Sequence, residues 1–385
     1  NAQVSGHSVF LNAADDVRIN DTVRASENLT IRAGDGVDLN DFIFACETAS
    51  ITTADGGVGG DDENGVCPNT LVFGPGGGIF ADDIVINVAE DITLGILKAV
   101  NTVRVTATGA GSDIFLGDLG LGVQGLIISG TSTTLTAAGD ILFRSSATTP
   151  INPGDPATFV IAGTLLSMTA TTGSIRDDEA DASTVADLFA STVTATAGTS
   201  ISYDGQVDVL TNAAVTGAVA GSNINITDLD DLVVGAVTTN AASTVTLTVG
   251  GAIMDLNGAA TNNVTGASLV ATTGSGVNLN TAITAGGTLT ATASGDGNVH
   301  VRNRTGAGTT LTVTAATVEG VGDVTVTNLG AAAGTADDAA LVVTLARTAN
   351  GDVTLSGSTL TITAAFAGAP GEAFSGAAGA GDGSI

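Results

Sequence analysis

One phrase recurs along this chain: an apolar-x-apolar run, a few small residues, a glycine, then a polar residue that opens a second apolar-x-apolar run. Leu29-Thr30-Ile31-Arg32-Ala33-Gly34-Asp35-Gly36-Val37-Asp38-Leu39 is one copy. Others occupy residues 135–143, 269–279, 289–301, 311–326 and 343–355. An imperfect repeat constrains the fold more than any single residue does, because such units stack and each packs on its neighbours. Inside each copy the period is two. Val17-Arg18-Ile19, Val103-Arg104-Val105 and Val324-Thr325-Val326 alternate apolar with polar, as strands with one buried face do.

Glycine-anchored turns recur near Gly173, Gly198, Gly221, Gly251, Gly276, Gly297, Gly322 and Gly351, at intervals in the solenoid range. Short strands joined by tight corners at that spacing make the coils of a parallel β-helix. Parallel strands are joined by right-handed crossovers. The predicted fold is therefore all-β, a right-handed parallel β-helix, with tandem β-sandwich domains as the alternative and a propeller behind both. A sandwich would show turn signals every 8 to 12 residues or so without a longer period. Its core would also draw on large aromatic side chains, whereas aromatics are 3% of this chain and Trp is absent. Val, Ile, Leu and Ala must fill the interior, which suits opposite walls that lie close together.

A single solenoid is expected over residues 1–366, with loop insertions near 47–80, 145–158 and 177–191, and a Gly/Ala-rich tail or linker at 367–385. The segment 177–191 is equally readable as a short helix carrying Val185, Leu188 and Phe189. The sequence opens at Asn1 rather than Met, as expected of a processed protein or a piece of a longer one. No run of about 18 apolar residues is present, so direct membrane insertion as a helix is not expected.

The net charge of −29 reflects 10 Lys and Arg against 39 Asp and Glu. Phosphate backbones require a basic patch, so no nucleic-acid partner is expected, and anionic lipid is disfavoured for the same reason. Cys46 and Cys67 flank a segment rich in Gly, Asp and Asn. A disulfide between them is the preferred reading, contributing about 3 kcal/mol and implying an oxidising compartment; two unrelated thiols are the alternative.

The phrase Gly-[Asp/Asn/Ser]-[Val/Ile], clearest at Gly139-Asp140-Ile141, Gly173-Ser174-Ile175, Gly297-Asn298-Val299 and Gly351-Asp352-Val353, resembles the repeats of filamentous-haemagglutinin-type exoproteins and autotransporter passengers. The resemblance runs over residues 9–366 in short, degenerate motifs. It implies a bacterial surface or secreted right-handed β-helix that acts as an adhesin or stalk.

Candidate sites are few. Ala110-Gly111-Ser112-Asp113-Ile114-Phe115-Leu116-Gly117-Asp118 partly matches the glycine-rich nonapeptide that binds calcium in β-rolls. Asp113 and Asp118, together with Asp35 and Asp38 beside Asp41, are the candidate ligands for a structural calcium ion, the one cofactor suggested. An ordinary Gly-Asp corner and solvated loop charge are the competing readings. Asp61-Asp62-Glu63, Asp177-Asp178-Glu179 with Asp181, and Asp228 with Asp230 and Asp231 are further oxygen-rich clusters. No catalytic residues are assigned. Paired carboxylates such as Asp82-Asp83 lack the basic neighbours of a polysaccharide-cleaving groove, and His7 and His300 sit beside strand-like segments without a nucleophile motif. Asn-x-Thr triplets begin at Asn20, Asn28, Asn225, Asn263 and Asn303, candidate acceptors only in a host that glycosylates them.

The expected function is that of an extracellular structural or adhesive surface protein: a stalk, filament or surface-layer subunit that associates end to end. Its expected partners are further copies of itself and a cell-surface or host glycan or protein. The alternatives are a polysaccharide-processing β-helix enzyme and a calcium-dependent binding module.

Overall fold

The structure is a computed structural model that describes residues 4–53, 71–73, 77–117, 125–144, 160–177, 188–217, 221–240, 242–258, 260–284, 286–305, 309–329 and 339–366. Among the described residues the regular elements are all strands, and they stack as an all-β parallel β-helix. The chain divides into two compact units, Asn1–Gly198 with Tyr203–Gly205, and Thr199–Ser202 with Gln206–Ile385.

In the first unit three columns of parallel strands rise coil by coil. The first column takes Val4–Gly6, Val23–Ala25, Phe42–Ala45, the opening halves of Gly78–Val88 and Ile96–Ala107, then Leu126–Ser129 and the starts of Val160–Ala170 and Leu188–Ala197. The second takes Val9–Asn12, Leu29–Ala33, Thr48–Thr53, the closing halves of those long strands, and Ser132–Ala137. The third takes Val17–Ile19, Val37–Leu39, Leu71–Phe73, Ile92–Leu94, Ile114–Leu116, Ile141–Phe143 and Ile175–Asp177. The long strands turn the corner between the first two columns where their register shifts, between Ala81 and Asp83 and between Ala162 and Leu165.

Period-two alternation puts one parity of each strand inside. Ile31, Ile51, Ile86, Val105, Leu135 and Met168 lie in register on successive coils, and each is fully buried. A buried aliphatic side chain of this size contributes roughly 2 kcal/mol. A column of them makes every coil the floor of the next.

The second unit is built the same way. One ladder runs through Ile224–Asp228, Thr244–Val249, Ser268–Thr273, Thr288–Ala293 and Thr310–Val321. Further pairings run through Leu232–Thr238, Ile253–Asp255 with Val264–Gly266, Val277–Ile283, Val299–Arg304, Val324–Leu329 and Val353–Ser356, and from Thr310–Val321 to Ala340–Val343 and Ala346–Asn350. Val245, Leu269, Leu289 and Val313 form one of its buried columns.

The recurring glycine has a steric cause. A Cβ on Gly139 would lie 2.5 Å from the Gly111 carbonyl oxygen one coil earlier, and one on Gly274 would lie 1.9 Å from that of Gly250. Backbones cross too closely at these corners for any side chain.

Two of the three expected insertions contain strand among their described residues. Within 47–80, Thr48–Thr53, Leu71–Phe73 and the start of Gly78–Val88 are strands. Across 177–191 the helical reading fails at both described ends. Asp177 closes the strand Ile175–Asp177, and Leu188 opens Leu188–Ala197 with alternating burial that packs it on the coil below. The stretches 145–158 and 367–385 lie outside the described residues.

Candidate functional site

Polar residues at the corners, some directly after the corner glycine as at Asp140, Asn298 and Asp323, share a defined task. Asp91 Oδ1 accepts the Asp113 N–H at 2.9 Å, Asp113 Oδ1 accepts the Asp140 N–H at 2.6 Å, and Asp140 Oδ1 accepts the Ser174 N–H at 2.5 Å. In the second unit Asp231 takes the Ala252 N–H at 2.7 Å, Asn298 that of Asp323 at 2.8 Å, and Asp323 that of Asp352 at 2.9 Å. Each carboxylate or amide thus ties its own coil to the next by a backbone donor. Stacking like charges has a consequence. Burial pushes the Asp113 carboxyl above its ordinary value, and Asp91 and Asp140 push the same way, partly offset by the Asp140 N–H and by Arg144.

Of the proposed calcium ligands, Asp113 is therefore engaged in this ladder, and Asp118 lies outside the described residues. Asp38 Oδ2 sits 2.9 Å from Arg18 Nε in a solvent-exposed ion pair, which contributes little. Asp35 follows the Gly34 corner, and its N–H reaches the Asp15 carbonyl at 3.3 Å. Asp41 Oδ1 accepts the Phe42 N–H at 2.7 Å. Among the described residues no three His, Cys, Asp or Glu side chains gather as metal ligands. Cys46 is exposed, and Cys67 lies outside the described residues with Asp61, Asp62, Glu63, Asp178, Glu179 and Asp181.

The third acidic cluster separates into distinct roles. Asp228 continues the inward parity of Ile224 and Ile226 and is only 2% exposed. Its Oδ2 accepts the Val207 N–H at 2.9 Å and its Oδ1 the Asp230 N–H at 3.2 Å. Burial drives its carboxyl up to about 7, and a hydrogen bond to the Asp230 side chain and that group's charge act in the same direction. Asp230 Oδ2 in turn accepts from Gln206 Nε2 at 2.8 Å.

A buried amide ladder is the feature that sequence reading missed. Asn263 donates to the Val234 carbonyl at 2.7 Å and to Asp255 Oδ1 at 2.8 Å, while its Oδ1 accepts the Asn280 N–H at 2.8 Å. Asn280 Nδ2 donates to Asp255 Oδ2 at 2.7 Å. Asn303 Oδ1 accepts from Thr281 Oγ1 at 3.0 Å and from the Ile283 N–H at 2.8 Å, and its Nδ2 donates to Asn328 Oδ1 at 2.9 Å. Asn328 passes the ladder on to the Ala340 carbonyl at 2.7 Å. Asn263 and Asn303 head Asn-x-Thr triplets, yet they are 1% and 0% exposed, so in the folded chain neither amide is open to a modifying enzyme. Parity was the available signal: Val299, Val301 and Asn303 share the inward side of one strand.

His7 brings together residue types used in nucleophilic catalysis. Its Nδ1 lies 2.8 Å from Ser26 Oγ and its Nε2 3.7 Å from Glu27 Oε1. The His7 side chain is 81% exposed, so water competes for each contact and nothing holds the ring in one orientation. His300 is half-buried in a strand, and burial, together with Arg302, lowers its pKa. Comparison of the chain with protein-family models, with curated proteins and with solved structures finds no match in any of the three.

Proposed function

We propose that this chain is an extracellular structural or adhesive element of a cell surface, a β-helix of the filamentous-haemagglutinin or autotransporter-passenger kind. Its action is mechanical. One observation carries this reading: polar side chains at the corners and in the interior bond coil to coil. Asp113, Asp140, Asp323, Asn303 and Asn328 all spend their hydrogen bonds on the adjacent coil. Such an arrangement resists shear between coils and leaves the outward parity free to vary.

Strand edges at the ends of a coil stack carry unpaired N–H and C=O groups, which associate unless covered. The reading therefore includes end-to-end continuation, by further coils or by another copy, into a stalk, filament or surface layer. Cell-surface or host glycans and proteins are the partners that the outward faces would meet. Electron microscopy of native material tests the reading, with filaments, a layer or projecting stalks expected. Turnover of an acidic or neutral polysaccharide by the purified chain would overturn it in favour of an enzyme. Unfolding on chelation would favour a calcium-dependent binding module.

A further inference from the structure

Outward positions in the second column of the first unit are mainly small and polar, as at Thr134, Ser167 and Thr194. The first column differs. Arg24, Phe44, Phe80, Lys98, Ile128 and Ile161 occupy one outward line in register on successive coils. Arg24 lies over the Phe44 ring at 4.6 Å, and Phe44 stacks on Phe80 with centroids 5.2 Å apart and planes at 19°. Phe42, one line over, meets Phe80 edge-on at 5.7 Å by leaning across Gly78, where a Cβ would stand 3.2 Å from its ring. Ile161 is 37% exposed, and Val100, beyond Lys98, is 66% exposed.

Coils stand about 4.8 Å apart, so the line from Ser5 to Phe189 extends roughly 34 Å. Phe44, Phe80, Ile128 and Ile161, interrupted only by Lys98, form an outward line of large apolar side chains of the sort that marks a contact surface. Aromatic residues and Arg are enriched in protein–protein interfaces, and Arg24, Phe44 and Phe80 stand together in one half of this line.

We propose that this face of the first unit is the contact surface for a second copy of the chain, paired antiparallel about the point between Phe80 and Lys98. The order of residues along the line selects that occupant. Reversal about this point sets Phe80 against the partner's Lys98, Phe44 against the partner's Ile128, and Arg24 against the partner's Ile161. Each cation meets a ring or an aliphatic group, and no cation meets another. A two-fold contact needs just such self-complementarity. Two chains of net charge −29 repel at long range, so salt should strengthen the pairing by screening that repulsion. This inference concerns side-by-side pairing and does not rest on the surface role proposed above.

Sedimentation of the full chain over a range of concentration and salt tests it. A dimer is expected, tighter at high salt. Phe44→Lys should weaken it by at least about 30-fold, the loss that goes with removing a central aromatic. Ile128→Glu should do likewise. The two substitutions in one chain should restore the dimer, because each Lys then faces a partner Glu, giving two opposite-charge pairs per dimer. Thr134→Lys on the polar face should leave the dimer intact, and circular dichroism should show every variant folded. A chain that stays monomeric throughout overturns the proposal, as does a double variant that fails to recover. Binding of an unrelated protein to this face in place of a copy also overturns it. Assembly that Phe44→Lys leaves unchanged overturns it too, and would locate the contact at the ends instead.

Discussion

Replacing Asn303 with Ala should be among the most damaging single changes in the second unit. Asn303 is fully buried and satisfies three other groups: the Ile283 N–H at 2.8 Å, the Thr281 hydroxyl at 3.0 Å and Asn328 Oδ1 at 2.9 Å. Ile283 and Thr281 are themselves 1% and 0% exposed, so solvent cannot stand in for the lost amide. A buried donor or acceptor left without a partner costs about 1–3 kcal/mol. The Thr281 hydroxyl can rotate away, but the Ile283 N–H cannot. The expected loss is therefore about 3–5 kcal/mol, a large part of the stability of an ordinary domain. Urea unfolding gives the midpoint, and an unchanged slope shows that the change lies in stability. Amide exchange supplies the local readout, since the Ile283 N–H should lose protection first. Thr325→Ala, at an outward position on the neighbouring strand Val324–Leu329, is the control and should stay within about 0.5 kcal/mol. A loss below about 1 kcal/mol for Asn303→Ala, with Ile283 still protected, would refute the argument that the ladder is dry and irreplaceable.

Three further outcomes are expected. Gly139→Ala should cost about 1–3 kcal/mol in a thermal melt, because its Cβ would fall 2.1 Å from Asp113 Oδ1 and break the bond to the Asp140 N–H. Asp228 should make the second unit less stable as pH rises: a carboxyl held at about 7 in the fold and near 3.8 when unfolded binds its proton more tightly in the fold, so stability is full below about 4 and declines through about 7. The decline should be on the order of 2–4 kcal/mol, and Asp228→Asn, whose amide can still donate to Asp230, should flatten that profile in urea titrations across the range. Alkylation of the unfolded, unreduced protein should label neither Cys46 nor Cys67, and reduction should lower stability by about 3 kcal/mol; labelling of both thiols would show that the two are unpaired.

The strands were legible because alternation and the corner glycine are local signals. Leu29 to Leu39 shows both within one coil: Leu29 and Ile31 point in, Gly34 turns, Val37 and Leu39 point in again. The parallel stack followed from the repetition of that phrase. Less legible was where each loop ends. Thr48–Thr53 reads as strand in isolation, yet the glycines and acidic residues beyond it drew the boundary back to Glu47. Leu188-Phe189-Ala190 has too few residues for its period to decide between helix and strand. Its place in the ladder on Val160 and Ala162 decides it.

The polar ladders were hidden for a different reason. The partner of Asp113 is Asp140, and that of Asn303 is Asn328. The separation is one coil, and coil length varies with the loops. No fixed spacing therefore ties the members together. Parity is the better guide, because it needs no knowledge of the loops. Ile224-x-Ile226-x-Asp228 and Val299-x-Val301-x-Asn303 each place a polar group where only apolar ones are cheap to bury, and in both the structure supplies hydrogen-bond partners from the adjacent coil. The same rule marks Phe42-Ile43-Phe44, where both parities are apolar. One parity of such a run fills the core through Ile43. The other must face outward, and in a chain with so few aromatic residues an outward pair of them is a surface that burial in the core cannot explain.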